Sequence, residues 1–123
     1  MSHKDQLPIF LHRAYDIFLS ELEHYHQHIS ELSEFDKDHA ILLQDFHRLA
    51  GGASFVHEKT LADLAFEAEH IVDQILRLKA NATDIMMNSQ EIETLTQQGK
   101  YIILALLAEC ELIIDRNSSS NLT

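Results

Sequence analysis

Phe46-His47-Arg48-Leu49-Ala50-Gly51-Gly52-Ala53-Ser54-Phe55-Val56 is the stretch on which the reading of this chain turns. Stepped at 100° per residue, Leu42, Phe46, Leu49, Ala53 and Val56 fall in one arc, roughly 100 to 180° round from His47. Ala40, Leu43, Gly51 and Ser54 fall within about 40° of the histidine. The pattern predicts a helix whose large apolar side chains face a core and whose imidazole faces out. One turn after that imidazole the side chain is missing altogether. Glycine inside a helix costs roughly 1 kcal/mol relative to alanine, and here two stand in a row. Two readings follow: something approaches His47 closely, or Gly51 and Gly52 admit a neighbouring helix of the same chain.

Working outward, three more helical segments are predicted. The first runs from about Leu7 to Ile29. Pro8 suits its first turn, and Leu7, Phe10, Leu11, Ala14, Ile17, Phe18, Leu22, Tyr25 and Ile29 form its stripe. A charged link, Ser30 to Lys37, leads into the second segment, about Asp38 to Val56, with Asp36 and Asp38 suited to its N-terminus. A break is expected near His57-Glu58-Lys59, with Thr60 as cap and Asp63 three residues on.

The third segment, about Leu61 to Lys79, sets Leu61, Leu64, Ala65, Ala68, Val72 and Ile75 on one face. Arg77 and Lys79 suit its C-terminal end. After a loop, Ala80 to Asn88, a capping-box-like pair, Asn88 and Glu91, opens the fourth segment, about Ser89 to Arg116. Its stripe is Ile92, Leu95, Gly99, Ile102, Leu106, Cys110 and Ile113. Leu104, Leu107 and Leu112 lie off it, so this helix is either covered on more than one side or offers a contact surface. The expected architecture is all-α: an antiparallel four-helix bundle, with room for a short extra N-terminal turn, forming one domain over residues 1–117. Residues 118–123 form a short polar tail, and fraying is expected from Asn117 onward.

Composition agrees and excludes some functions. A chain of 123 residues can bury a real core. Three glycines, one proline and no tryptophan give little support to strands joined by tight turns. Nine Lys+Arg against 20 Asp+Glu give a net charge of −11, which argues against binding nucleic acid or an anionic bilayer. The single cysteine, Cys110, allows no internal disulfide, suits a reducing cytoplasm and is read as a small core residue. The N-terminus has no apolar signal core, and the longest nearly unbroken apolar run, Tyr101 to Ala108, is far short of the ~20 residues of a membrane span.

His47-Arg48-Leu49-Ala50-Gly51-Gly52-Ala53-Ser54-Phe55 resembles the phosphorylation motif of histidine phosphotransfer (HPt) domains. These are helical bundles that pass a phosphoryl group between receiver-domain aspartates in two-component relays. The usual pattern is His-x-Leu-Lys-Gly, small residues, and a second glycine about ten after the histidine. Leu61, Ala65, Ala68 and Glu69 resemble the positions that continue it in the family's next helix. The likeness covers residues 38–76 directly. Two positions depart from it: Ala50 stands where lysine is common, although some subgroups read His-Arg-Leu-Ala-Gly, and His57 stands where the second glycine is usual.

The resemblance implies a phosphocarrier, not an enzyme on its own. Its partners would be the receiver domain of a response regulator, of a hybrid histidine kinase, or both. No cofactor is expected on this chain, since Mg²⁺ and the catalytic carboxylates would belong to the partner receiver. His47 would be the phosphoacceptor, attacking through Nε2. A carboxylate on Nδ1–H would fix that tautomer, and Glu69 is the candidate orienter, unless it is an ordinary boundary carboxylate. Around them, Leu43, Arg48, Gly51, Gly52, Ser54 and Phe55 form the candidate binding surface; Leu43 and Phe55 would dock a receiver helix or close the edge of the core. Arg48 lies about 100° round from His47, which leaves its part in charge compensation open. The chain is expected to be a monomer or weak dimer. The alternatives are a receiver-binding module that no longer transfers phosphate, motivated by Ala50, and a metal-binding bundle built on His24 and His28. Those two histidines are four residues apart, with Glu21 or Glu31 to assist. In a chain with nine histidines such a pair also arises by chance.

Overall fold

The computed structural model describes residues 3–31, 39–80 and 85–120. Among them every regular element is helical. Two short 3-10 turns, His3–Gln6 and Ile9–Leu11, precede α1 (His12–Glu31), α2 (His39–Phe55), α3 (Lys59–Ala80) and α4 (Ile85–Ser120). The most extensive pairing is α2 with α3, followed by α3 with α4; α1 lies against α4 and α2. In two of these pairings, residues early in one helix meet residues late in the other. Lys79 reaches His39 while Glu69 reaches His47, and Asn117 reaches Tyr15 while Glu111 reaches His26. No helix of the described residues is long and apolar enough to cross a membrane.

The stripe expected on α2 is buried in full: Leu42, Phe46, Leu49, Ala53 and Val56 are at most 1 % exposed. Ala50 joins them. On α3, Leu61, Ala65, Ala68, Val72 and Ile75 are buried, and Leu64 partly so. Ala62 and Ile71 are buried as well, because this helix is covered by α2 on one side and α4 on the other. On α4, Gly99, Leu106, Cys110 and Ile113 are buried as expected. Ile103 is buried too, while Ile92, Leu95, Ile102 and Leu107 are partly covered. Leu104 and Leu112 stand out from the bundle.

The first segment departs most from expectation. Its α-helix starts at His12 rather than Leu7, and Leu7 and Leu11 are buried from the 3-10 turns before it. Phe10 and Ile17, placed on the stripe by their apolar side chains, are 80 % and 51 % exposed. The true seam is Leu11, Tyr15, Phe18, Leu22 and Ile29. Tyr15, absent from the expected stripe, is fully buried, and its hydroxyl has a buried partner in Glu58.

Other boundaries shift too. Thr60 is not the cap of α3: the helix begins at Lys59, and the first intrahelical bond runs from Ala62 N–H to the Glu58 carbonyl, 3.0 Å. Asn88 is not a cap either, since α4 already begins at Ile85. Asn117 is not frayed; its amide donates to the Ile113 carbonyl at 2.8 Å and to the Tyr15 hydroxyl at 3.3 Å, and the helix continues to Ser120. Asp36, Asp38 and most of the charged link lie outside the described residues.

Candidate functional site

The end of α2 sets the height of the site. His57 takes the left-handed conformation, φ 63°. Its N–H donates to the Ser54 carbonyl at 3.2 Å, and Glu58 N–H reaches back to the Ala53 carbonyl at 2.8 Å. This pair of bonds is a Schellman closure, normally built on glycine at the left-handed position. Here a histidine occupies it, and α3 departs two residues later.

Glu58, at the turn, is buried and does not face solvent. Its carboxylate accepts from the Tyr15 hydroxyl at 2.9 Å and from Arg116 Nη2 at 2.8 Å. His3 Nε2 lies 3.8 Å away and donates to the Val56 carbonyl at 3.3 Å. Burial, more than any partner, raises the Tyr15 hydroxyl above its ordinary pKa. The N-terminal turn, α1, the α2–α3 turn and α4 are thus tied at one carboxylate. Apolar periodicity gives no sign of this cluster; the available hint was Tyr15, four after Leu11 and three before Phe18.

Almost three turns back along α2 from His57, His47 projects outward. Its side chain is 74 % exposed, and Nδ1–H donates to Glu69 Oε1 at 2.9 Å. A carboxylate can only accept here, so the proton sits on Nδ1 and the outer nitrogen, Nε2, carries the lone pair. Glu69 is itself three-quarters covered, and its Oε2 is buried with no hydrogen-bond partner among the described residues. A carboxylate so largely covered and held by one ring is a stiff support for that ring.

The surroundings of His47 are open. Ala40, Gly51 and Ser54 are exposed beside it, and Leu43 is half-buried. A Cβ added at Gly51 would meet nothing within 4 Å. One added at Gly52 would touch Phe18 Cδ1 at 3.6 Å, an ordinary contact. Neither glycine is therefore required by packing inside the chain. Phe55 stands 62 % exposed on this side. On the α3 side, Leu43, Phe66, Glu69, His70 and Asp73 line an open groove of ≈ 380 Å³. The sequence reading missed Phe66, an aromatic off the α3 core stripe and three residues before Glu69, hence on the same face.

Positive charge is sparse at this spot. Ala50 is sealed in the core. Arg48 lies near Tyr25 of α1, and its positive charge acts on that hydroxyl. Burial, then Glu21, raises the Tyr25 hydroxyl above its ordinary pKa, while Arg48 pulls it down. Arg48 therefore belongs to the α1–α2 seam and not to the histidine's immediate surroundings.

His24 and His28 stack, with ring centroids 6.3 Å apart. His28 Nδ1 also lies 2.7 Å from the buried carboxylate of Asp45 on α2. Among the described residues no group of three or more His, Cys, Asp or Glu side chains converges as metal ligands would. Cys110 is buried, and burial pushes its thiol up to about 12, so it is inert at neutral pH.

Comparison of the chain with protein-family models, with curated proteins and with solved structures finds no match. What the site can do follows from its own geometry: an accessible imidazole with a fixed tautomer, beside bare backbone and a groove that holds the exposed Phe66 ring.

Proposed function

We propose that the chain is a phosphocarrier of the histidine phosphotransfer kind, in which His47 takes a phosphoryl group from a receiver-domain aspartyl phosphate and hands it on. The observation that carries this is the His47–Glu69 pair, with Nδ1 engaged at 2.9 Å on a ring that is 74 % exposed. The Nε2 lone pair attacks phosphorus in line. The acyl-phosphate P–O bond breaks and its electrons return to the departing aspartate carboxylate. The phosphorylated ring, still protonated at Nδ1, carries positive charge, which Glu69 stabilises. Return transfer reverses these steps. Positioning and charge neutralisation govern such transfers, and the partner receiver supplies the divalent cation and its carboxylates.

Gly51 supports the same reading. Its bare backbone lies one turn from the ring, and no side chain of the described residues fills the space. Phe66, exposed on α3 in the groove with Glu69, and Phe55, exposed farther along α2, offer apolar contact to a docking helix.

The second reading, a receiver-binding module without transfer, draws on Ala50. That position is sealed and supplies no ammonium for the phosphoryl oxygens. One experiment separates the two. Incubation with a phosphorylated receiver should place an acid-labile, base-stable phosphate on the chain, and His47→Gln should abolish it. Receiver binding that leaves the chain unlabelled selects the second reading. Equal labelling of His47→Gln defeats the first.

A further inference from the structure

The outward side of α4 carries an apolar stripe that the bundle does not use. Ile103, Leu106, Cys110 and Ile113 turn inward and are buried. Across the helix from them, Tyr101, Leu104 and Leu112 are 76 %, 66 % and 63 % exposed. Ala105 and Ala108, between them, are exposed as well. With Tyr101 at 0°, Ala105, Ala108 and Leu112 all lie within about 40°. Their order along the helix is large, small, small, large, and it reads the same from either end.

We propose that the chain pairs with a second copy of itself through α4, the two helices running in opposite directions about a two-fold axis at Ala105–Ala108. A face that is its own mirror in sequence order fits an isologous contact. Tyr101 of each copy meets Leu112 of the other. The alanines meet at the crossing, where their small side chains let the backbones close.

The charges agree with this register. Lys100 and Glu111 both lie about 80 to 100° to the same side of the stripe. In opposed helices same-side positions face each other, so Lys100 of each copy faces Glu111 of the other, twice. On the other side Glu109, about 80° round, faces its own mate near the axis, one like-charge pair against two opposite-charge pairs. Toward the N-terminus the same face becomes polar, with Thr94, Gln97 and Gln98 exposed. The apolar contact is therefore about three turns long, on the order of 500 Å² per copy, at the low end of specific interfaces. The dimer is accordingly weak, with dissociation in the micromolar range. Since α4 packs on α3 and α1, both copies keep the His47 face open.

Sedimentation equilibrium of the full chain from about 5 to about 500 µM tests the pairing. The weight-average mass should climb from one 14.1 kDa chain toward two. Ala108→Glu, at an exposed position, should hold it at one chain with unchanged circular dichroism. Lys100→Glu should weaken association about tenfold, and adding Glu111→Lys should restore it; the surface contact of Glu111 with His26 that this removes contributes little. Tyr101→Cys mixed with Leu112→Cys should cross-link, while neither alone does. A single-chain mass throughout overturns the proposal, as does undiminished association of Ala108→Glu. Self-cross-linking of Tyr101→Cys overturns the opposed orientation.

Discussion

At the scale of single residues, Glu69 makes His47 more than an exposed histidine. The carboxylate holds the ring by one hydrogen bond, and in the proposed role it would also favour the charged ring that phosphorylation would create. Those two contributions separate by substitution. Glu69→Gln keeps an acceptor oxygen and loses the charge, whereas Glu69→Ala loses both. Glu69→Ala should slow phosphoryl transfer roughly tenfold, about 1.4 kcal/mol, with Glu69→Gln between it and the parent. Rapid-quench labelling from a phosphorylated receiver measures this; equal rates for all three proteins would reduce Glu69 to a boundary carboxylate. This pair was legible in the sequence because the resemblance to the phosphotransfer motif pointed to an acidic position in the next helix, and helical phase put Glu69 at the edge of that helix's buried stripe. The Glu58 cluster was not. A buried carboxylate interrupts no apolar pattern, and its partners Tyr15 and Arg116 are distant in the chain, so only the folded bundle brings them together.

At the scale of elements, α2 and the turn that closes it contain two residues that local preference alone would replace, and they differ in kind. His57 holds a left-handed backbone at φ 63°, which costs a residue with a Cβ about 1 kcal/mol. Gly51 has an ordinary helical backbone and open space around it, yet forgoes about 1 kcal/mol of helix propensity. Both His57→Gly and Gly51→Ala should therefore raise stability to urea by roughly 0.5–1 kcal/mol. Only Gly51→Ala adds a methyl on the His47 face, and it alone should weaken transfer from a receiver, by roughly tenfold. Equal transfer by both variants would remove Gly51 from the docking surface. The stripes of α2 and α3 were legible because both helices bury one broad apolar face. The phase of α1 was misjudged for a physical reason: tyrosine can be a core residue when its hydroxyl finds a partner, and phenylalanine at a helix start can lie outside. The start of α4 was set too late because Asn88 and Glu91 have the spacing of a capping box while lying inside a helix.

At the scale of the whole molecule, the buried acids that ionise above neutrality set an alkaline limit. Tyr15, Tyr25 and Cys110 all have pKa values raised chiefly by burial. A raised value means that the folded state keeps its proton longer than the unfolded chain does. The associated stability is complete below the unfolded value and is lost as pH rises through the folded one. For Cys110 the window runs from its ordinary 9.0 to about 12, worth up to about 4 kcal/mol at the upper end. Urea unfolding should therefore show stability falling from pH 9 upward. Cys110→Ala should be less stable at neutral pH by roughly 1 kcal/mol, and its decline above pH 9 should be shallower. A parallel decline in both proteins would assign the limit to the tyrosines. The same burial makes this thiol a poor nucleophile, in keeping with placing the chemistry at a surface imidazole.

The closure at His57 has one more consequence. It makes the spacing of twenty-two residues between acceptor and support a gauge that the chain cannot adjust. Adding or deleting a single residue anywhere from Val56 to Glu58 would swing α3 by about 100° about its own axis relative to α2. Either the hydrocarbon face of α3 stays docked and Glu69 leaves the imidazole, or the pair survives and the core is dislocated. The joint of this bundle should tolerate exchange of its letters far better than any change in their number.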